Sequence, residues 1–325
     1  MTNEALLQMI EASLAARGYG QMQPEGLFAP IEYTLALGGK RVRPLLCLLS
    51  ARLFGDDLRK ALPIATGLEI FHNFTLLHDD LMDKSPLRRG QETVYRRWSE
   101  NTAILSGDVM SIEAYRCLEA IEDAELLRMV LPIFNRMAVE ICQGQQYDME
   151  FELRRDVSVG EYLEMIRLKT AVLLGAALRL GALAAGASVE EAQTLDEVGQ
   201  ALGLAFQIQD DYLDVYGDEA TFGKPIGGDI MNAKKTLMLL YTQSQLDEAG
   251  LSELERLMSL GEEQRRERID GVRALYDQVG TPTYAQAEIA RLTGEALSKL
   301  QALGLAEERL SPLYALCDKL MTRQR

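Results

Sequence analysis

The sequence predicts an all-α protein built as one large helical bundle. Three observations carry that prediction. Apolar residues recur with helical spacing nearly from end to end of the 325 residues, strict two-residue alternation is almost absent, and the composition is rich in Ala and Leu with only 6% aromatic residues. Several of the 9 prolines, namely Pro44, Pro63, Pro86, Pro132 and Pro312, stand where a helix would begin or end. With 47% hydrophobic residues the chain can bury a sizeable core. No stretch longer than a loop is rich in Pro, Gly or Ser, so a single domain over residues 1–325 is expected.

In chain order the candidate helices span residues 4–17, 44–54, 63–83, 102–120, 132–152, 159–185, 190–215 and 233–244, and three or four more follow between 252 and 321. Two of them are apolar on almost every face. One carries Leu68, Ile70, Phe71, Phe74, Leu76 and Leu77; the other carries Leu202, Leu204, Ala205, Phe206 and Ile208. Such helices belong in the middle of a bundle. The run 175–186 is rich in Gly and Ala, which lets neighbouring backbones pack closely. The longest irregular stretch, 217–228 (GDEATFGKPIGG), holds four glycines, a proline and Lys224; it reads as a loop, either a plain connection or a lid.

Charge and cysteine usage exclude several classes. A net charge of -15 argues against a nucleic-acid partner and against an anionic membrane surface. It leaves room for an anionic substrate held by a local cluster of cations. Cys47, Cys117, Cys142 and Cys317 are far apart and form no CxxC pair, which speaks against a zinc or disulfide scaffold. The start Met1-Thr2-Asn3-Glu4 lacks the features of a signal peptide, and the apolar run 171–187 is interrupted by Arg179 and short for a membrane span. A cytoplasmic protein without a transmembrane segment is expected. P-loop, HExxH and GxSxG patterns are missing.

Both central helices end in acids: Asp79-Asp80-Leu81-Met82-Asp83 and Asp210-Asp211-Tyr212-Leu213-Asp214. On a helix the first and last Asp of each cluster share one face, ~6 Å apart. A single DDxxD is often only a solvated helix end. Two copies, each closing a buried type of helix, are harder to dismiss, because adjacent carboxylates repel and are costly to desolvate. Packed side by side, the two helices would set six carboxylates across one cavity. Carboxylates are hard ligands suited to Mg²⁺, which is usually held by a few of them together with substrate phosphates. A diphosphate fits that chemistry. Cations to bind it are at hand in Gly38-Gly39-Lys40-Arg41-Val42-Arg43-Pro44, in Arg88-Arg89-Gly90, in Lys169-Thr170, and in Lys224 and Lys234. Arg41, Arg96 and Arg97 read as surface cations.

The ordered motifs GGKRVRP (38–44), HNFTLLHDDLMD (72–83), RRG (88–90), GQQYD (144–148), KT (169–170), FQIQDDYLD (206–214), GKPIGGD (223–229) and AKKT (233–236) resemble those of the trans-type polyprenyl diphosphate synthases, the farnesyl and geranylgeranyl type. The resemblance implies an all-α bundle around a deep cavity, a homodimer, and head-to-tail condensation of isopentenyl diphosphate with an allylic diphosphate (dimethylallyl, geranyl or farnesyl), assisted by three Mg²⁺. It implies that Asp79, Asp80 and Asp83 form the first metal motif and Asp210, Asp211 and Asp214 the second, with Asp80 and Asp211 not required to touch metal. It further implies that Arg88, Lys169 and Lys224 hold the allylic diphosphate, that Lys40, Arg43, His72 and Arg89 form the isopentenyl pocket, and that Thr170 and Gln207 flank the reacting carbons. Gln145, Asp148, Asp229 and Lys234 support the metals and leaving group.

Phe74, five residues before Asp79, and Phe71, about one turn deeper, are spaced to face the same side and to floor the cavity. They are equally compatible with ordinary core packing. With the small Thr75 beside Phe74, the resemblance favours the floor and a C20 product, with C15 next. A class I terpene cyclase is the competing enzyme; it needs no isopentenyl pocket, so GGKRVRP and RRG count against it. A non-catalytic partner subunit is the other alternative, and such subunits lose aspartates that are all present here.

Overall fold

The computed structural model describes residues 1–218 and 226–321. Lys224 and the middle of the 217–228 stretch, including the lid expected there, lie outside the described residues. The described residues are overwhelmingly helical and group into two compact units. One holds residues 1–135, 176–196 and 305–313; the other holds the described part of 136–175, 197–304 and 314–325.

In the first unit the helix Ala61–Met82 packs against Asn3–Ala15, Val42–Phe54 and Glu100–Glu119. Its all-round apolar character explains this position: Leu68, Ile70, Phe71 and Leu77 are buried. Gly67 lets it approach closely, since a Cβ there would lie 2.9 Å from the Ala114 carbonyl oxygen. Thr2 and Ser99 cap the first and last of these helices through their hydroxyls.

In the second unit the helices Val159–Ile166, Leu237–Gln245, Glu248–Met258, Arg265–Gln278 and Thr281–Ala302 surround a core that includes Tyr162, Ile166, Ala205, Ile208, Leu237, Met238 and Tyr276. The small residues read from the sequence do allow tight packing here. A Cβ on Gly199 would lie 2.6 Å from the Gly175 backbone, and one on Gly203 would lie 2.5 Å from Cα of Ala171.

Several expectations need correction. The helix Glu25–Ala36 is absent from the expected set, and Pro30 sits inside it. Pro132 and Pro312 lie inside the helices Ala124–Leu153 and Glu307–Met321 rather than at their starts. The first of these begins earlier because the Asp123 carboxylate accepts the amides of Glu125 and Leu126. The helix expected over 159–185 is interrupted by a π turn at Arg167–Ala171. The helix expected from 233 begins at Leu237 after a Thr236 cap, since Ala233 has φ 51° and cannot start one. No sheet was expected, yet Leu87–Arg88 and Gln91–Glu92 pair as a minimal hairpin. Its two-residue turn, Arg89-Gly90, has φ 53° and 77°, the left-handed pair such a turn demands.

Candidate active site

The end of the helix Ala61–Met82 sorts its three aspartates by environment. The Asp83 amide donates to the Asp79 carbonyl at 2.8 Å, so these two side chains leave one face a turn apart, and Asp83 is exposed. Asp80 points the other way and is 5% exposed. Arg88, delivered by the hairpin, donates from Nε to Asp80 Oδ2 at 2.7 Å and sets Nη2 2.7 Å from Oδ1 as an ion pair. Burial raises the Asp80 pKa and Arg88 works against that shift. Asp80 is thus the buried member of the cluster, while Asp79 is half-buried and Asp83 exposed.

The basic motif 38–44 is organised by the residue that the sequence placed on the surface. Arg41 is 4% exposed. It adopts a left-handed φ of 46° just before the helix Val42–Phe54 and is held by Glu11, Glu69 and the Leu35 carbonyl, with Nη1 2.8 Å from the Glu69 carboxylate. Glu69 lies on the aspartate helix and also accepts from Asn73 at 2.9 Å. Only the tertiary fold brings Glu11 and Glu69 to Arg41, so local sequence could not reveal its burial. Arg96 and Arg97 are exposed as expected.

Anchored at Arg41, the chain leaves Lys40 exposed and sends Arg43 inward. Arg43 Nη1 donates to His72 Nε2 at 3.0 Å. That direction follows from charge: burial first, then Arg43, Arg89 and Arg88, hold the imidazole pKa well below its usual value, so the ring is neutral and accepts. Burial also lowers Arg43 to about 10, with Glu69 opposing and Arg89 adding to the shift, so Arg43 stays charged at neutral pH. Gly39, φ 137°, lies against the Arg89 guanidinium; a Cβ there would be 2.6 Å from Nη2. Arg43, His72 and Arg89 are therefore gathered into one cationic pocket. Beside it, Phe74 packs edge-on to Phe71 at 5.3 Å and to His78 at 4.8 Å, and Phe71 meets Phe134 at 5.4 Å. Phe71 is buried, Phe74 is half-buried, and the Thr75 hydroxyl donates to the His72 carbonyl.

The second unit carries the other set. The π turn presents Lys169 and Thr170 from successive positions, a local distortion often found at functional sites. Gly144, from GQQYD, abuts this turn: a Cβ would sit 2.3 Å from the Lys169 amide nitrogen. Four residues on, Asp148 accepts from Lys169 Nζ at 2.6 Å. The Thr170 hydroxyl donates to Gln207 Oε1 at 3.3 Å, Gln207 Nε2 donates to Asp211 Oδ1 at 3.1 Å, and the Tyr162 hydroxyl donates to Asp211 Oδ2. Asp211 is buried, and burial with the nearby Asp229 pushes its pKa up to about 8 against the two donors. Tyr162 was not singled out in the sequence; a tyrosine in an amphipathic helix gives no local signal of its role.

Asp214 is also buried. Its carboxylate accepts the Asp229 amide at 2.9 Å and its carbonyl accepts the Gly227 amide at 2.6 Å. From the other side Arg265 and Arg268 donate to the carbonyls of Ile226 and Ile230. These contacts fix Asp229 beside the second cluster. Asp210 and Gln145 are half-buried. Lys234 is exposed, and its amide donates to the Asp229 carbonyl.

Among the described residues no three His, Cys, Asp or Glu side chains gather into a metal cage. The donor set nevertheless fits Mg²⁺, which is commonly bound by one or two carboxylates and completed by substrate phosphate oxygens and water. Asp79 with Asp83, and Asp210 with Asp214, each stand a turn apart on one helix, which suits that mode.

The polyprenyl synthetase family model matches residues 24–279. A short chain isoprenyl diphosphate synthase of Methanothermobacter thermautotrophicus is 38% identical over 301 residues, 93% of this chain and 91% of that one. A geranylgeranyl diphosphate synthase of Methanosarcina mazei is 43% identical over 220 residues, 67% of this chain and 68% of that one. A crystal structure of a geranylgeranyl pyrophosphate synthase superposes with a TM-score of 0.94 at 42% identity, covering 100% of both chains. The chain belongs to the polyprenyl synthetase family.

Proposed function

We propose that this protein condenses isopentenyl diphosphate with an allylic diphosphate, head to tail and in trans, to make a short-chain prenyl diphosphate. The observation that carries the reading is the coexistence of two helix-end aspartate sets with a separately built cationic cluster of Arg43, His72 and Arg89. One anion-binding arrangement suits a substrate that ionises, the other a substrate that keeps its diphosphate. A terpene cyclase has no use for the second.

In this reading Asp79 and Asp83, with Asp210 and Asp214, are the residues that would hold Mg²⁺ for the allylic diphosphate. The metal, when bound, neutralises that diphosphate and makes it a leaving group. Lys169, Arg88 and Lys224 contribute positive charge to the same anion. The allylic carbon–oxygen bond breaks and diphosphate departs with the electron pair. The alkene of isopentenyl diphosphate, held by Lys40, Arg43, Arg89 and neutral His72, attacks the allylic cation and forms the new carbon–carbon bond. Loss of a proton to the departed diphosphate restores a double bond. Thr170 and Gln207 present uncharged oxygens near the cation, while Gln145, Asp148, Asp229 and Lys234 keep the charged groups in place.

The two units work as one catalytic domain. A C20 product is favoured, with C15 next, because Phe74 and Phe71, packed edge to face, precede Asp79 on its helix and because the Methanosarcina relative bears the geranylgeranyl name. A homodimer is supported by Leu105 and Ile112, seven residues apart on one face of a long helix and 57% and 59% exposed. Among the described residues no helix is long and apolar enough to cross a membrane. The test is direct: purified protein is given labelled isopentenyl diphosphate with dimethylallyl, geranyl or farnesyl diphosphate in turn. Chain extension supports the reading. Conversion of an allylic diphosphate alone to a hydrocarbon, or no conversion of any pair, overturns it.

A further inference from the structure

Gly107 lies on the helix Glu100–Glu119, outside every motif singled out above, yet the tightest side-chain contact of any glycine in the first unit is its own. A Cβ built there would lie 2.2 Å from His78 Nε2 and 2.5 Å from its Cδ2. His78 directly precedes Asp79. Its ring is held on three sides: Gly107 faces it, Nε2 is 3.2 Å from the Ile104 carbonyl oxygen, and Phe74 packs edge-on at 4.8 Å. Phe74 in turn touches Phe71, and Phe71 touches Phe134. The rings form a continuous column that begins beside the first aspartate cluster and runs into the core.

We propose that Gly107 and His78 are positioning residues for product length: the empty Cβ position of Gly107 seats the His78 ring, and the His78 ring sets how far Phe74 intrudes on the growing prenyl tail. The inference rests on the reading above, in which Phe74 limits that tail. A methyl group at position 107 needs about 3.5 Å from the imidazole, so the ring must move by about 1 Å. The moving atoms are the end of a side chain and not backbone, so the fold tolerates the change. The methyl group pushes the ring away from the helix Glu100–Glu119, and the ring's remaining neighbour, Phe74, takes up the displacement. The space for the tail narrows.

The test compares four variants by chromatography of dephosphorylated products at equal conversion, with thermal unfolding measured alongside. Gly107→Ala is expected to shift the distribution shorter by about one five-carbon unit while unfolding within a few degrees of the parent. The double variant Gly107→Ala/His78→Ala, with the ring removed, is expected to match His78→Ala alone, because the methyl group then presses on nothing. Phe74→Ala serves as the separate check and is expected to lengthen products. If Phe74→Ala leaves the distribution unchanged, the chain-length reading itself fails. If Phe74→Ala lengthens products but Gly107→Ala leaves them unchanged or longer, or the double variant still differs from His78→Ala, the role of Gly107 and His78 is refuted.

Discussion

Replacing Glu69 by Ala probes the buried pair that organises the basic motif. The Arg41 and Glu69 side chains are each 3% exposed, and Glu69 also accepts from Asn73. Removing one partner of such a pair strands the other charge, which typically costs 3–5 kcal/mol. Here Arg41 keeps Glu11, whose side chain is 53% exposed, and the Leu35 carbonyl, so the lower end applies: about 3 kcal/mol. Glu69→Gln retains an acceptor for Arg41 and Asn73 and should cost about half as much. The double variant Arg41→Met/Glu69→Leu leaves no lone charge, so its cost should fall below the sum of the singles by about 2 kcal/mol. Equilibrium urea unfolding of the parent, Arg41→Met, Glu69→Leu and the double variant closes this cycle, with Glu69→Ala and Glu69→Gln measured beside it. Because Arg41 aims Arg43 at His72, Glu69→Ala should also raise the KM for isopentenyl diphosphate several-fold more than that for the allylic substrate. A Glu69→Ala cost under about 1 kcal/mol, or strict additivity in the cycle, would refute the anchoring role.

Three further outcomes follow from the geometry. His72 has a folded pKa well below the 6.5 of the unfolded chain, so below pH 6.5 the unfolded state takes up a proton that the folded state does not. Stability from this group is present above that pH and lost below it: between pH 7.5 and 5.5 the parent should lose about 1.3 kcal/mol more than His72→Asn, and parallel curves would contradict the neutral assignment. Gly144→Ala drives a methyl group into the backbone at Lys169, which cannot move cheaply; a loss of about 3 kcal/mol in urea with a fall in turnover is expected, and a neutral variant would show that the two helices are not in contact there. Arg43→Ala should raise KM mainly for isopentenyl diphosphate and Lys224→Ala mainly impair use of the allylic diphosphate, whereas equal effects on both substrates would dissolve the two-pocket assignment.

The fold was legible where apolar periodicity was strong. The two aspartate helices were found within a few residues because each is apolar on nearly every face and stops at charged side chains. The start assigned to Pro132 and the helix boundary read at Pro312 were displaced, because both prolines are accommodated inside helices. The aspartate and cation motifs were legible as spacing. What the spacing could not say was which member of each cluster turns inward. Asp80 takes its partner from the hairpin and Asp211 from Tyr162 on another helix, contacts that only the tertiary fold makes. Arg41 was misread for the same reason: a buried ion pair is a tertiary fact, and a basic run looks solvated until its acids are placed.

The central claim is that two aspartate sets act through divalent metal on one diphosphate. It is tested most directly by single-turnover incorporation of labelled isopentenyl diphosphate, with and without Mg²⁺, in the parent, Asp79→Ala and Asp210→Ala, each checked by circular dichroism for an intact fold. The account predicts incorporation by the parent only with Mg²⁺, and a loss of orders of magnitude in each variant with helicity unchanged. Near-parental incorporation by either folded variant, or full activity of the parent in excess chelator, would contradict it.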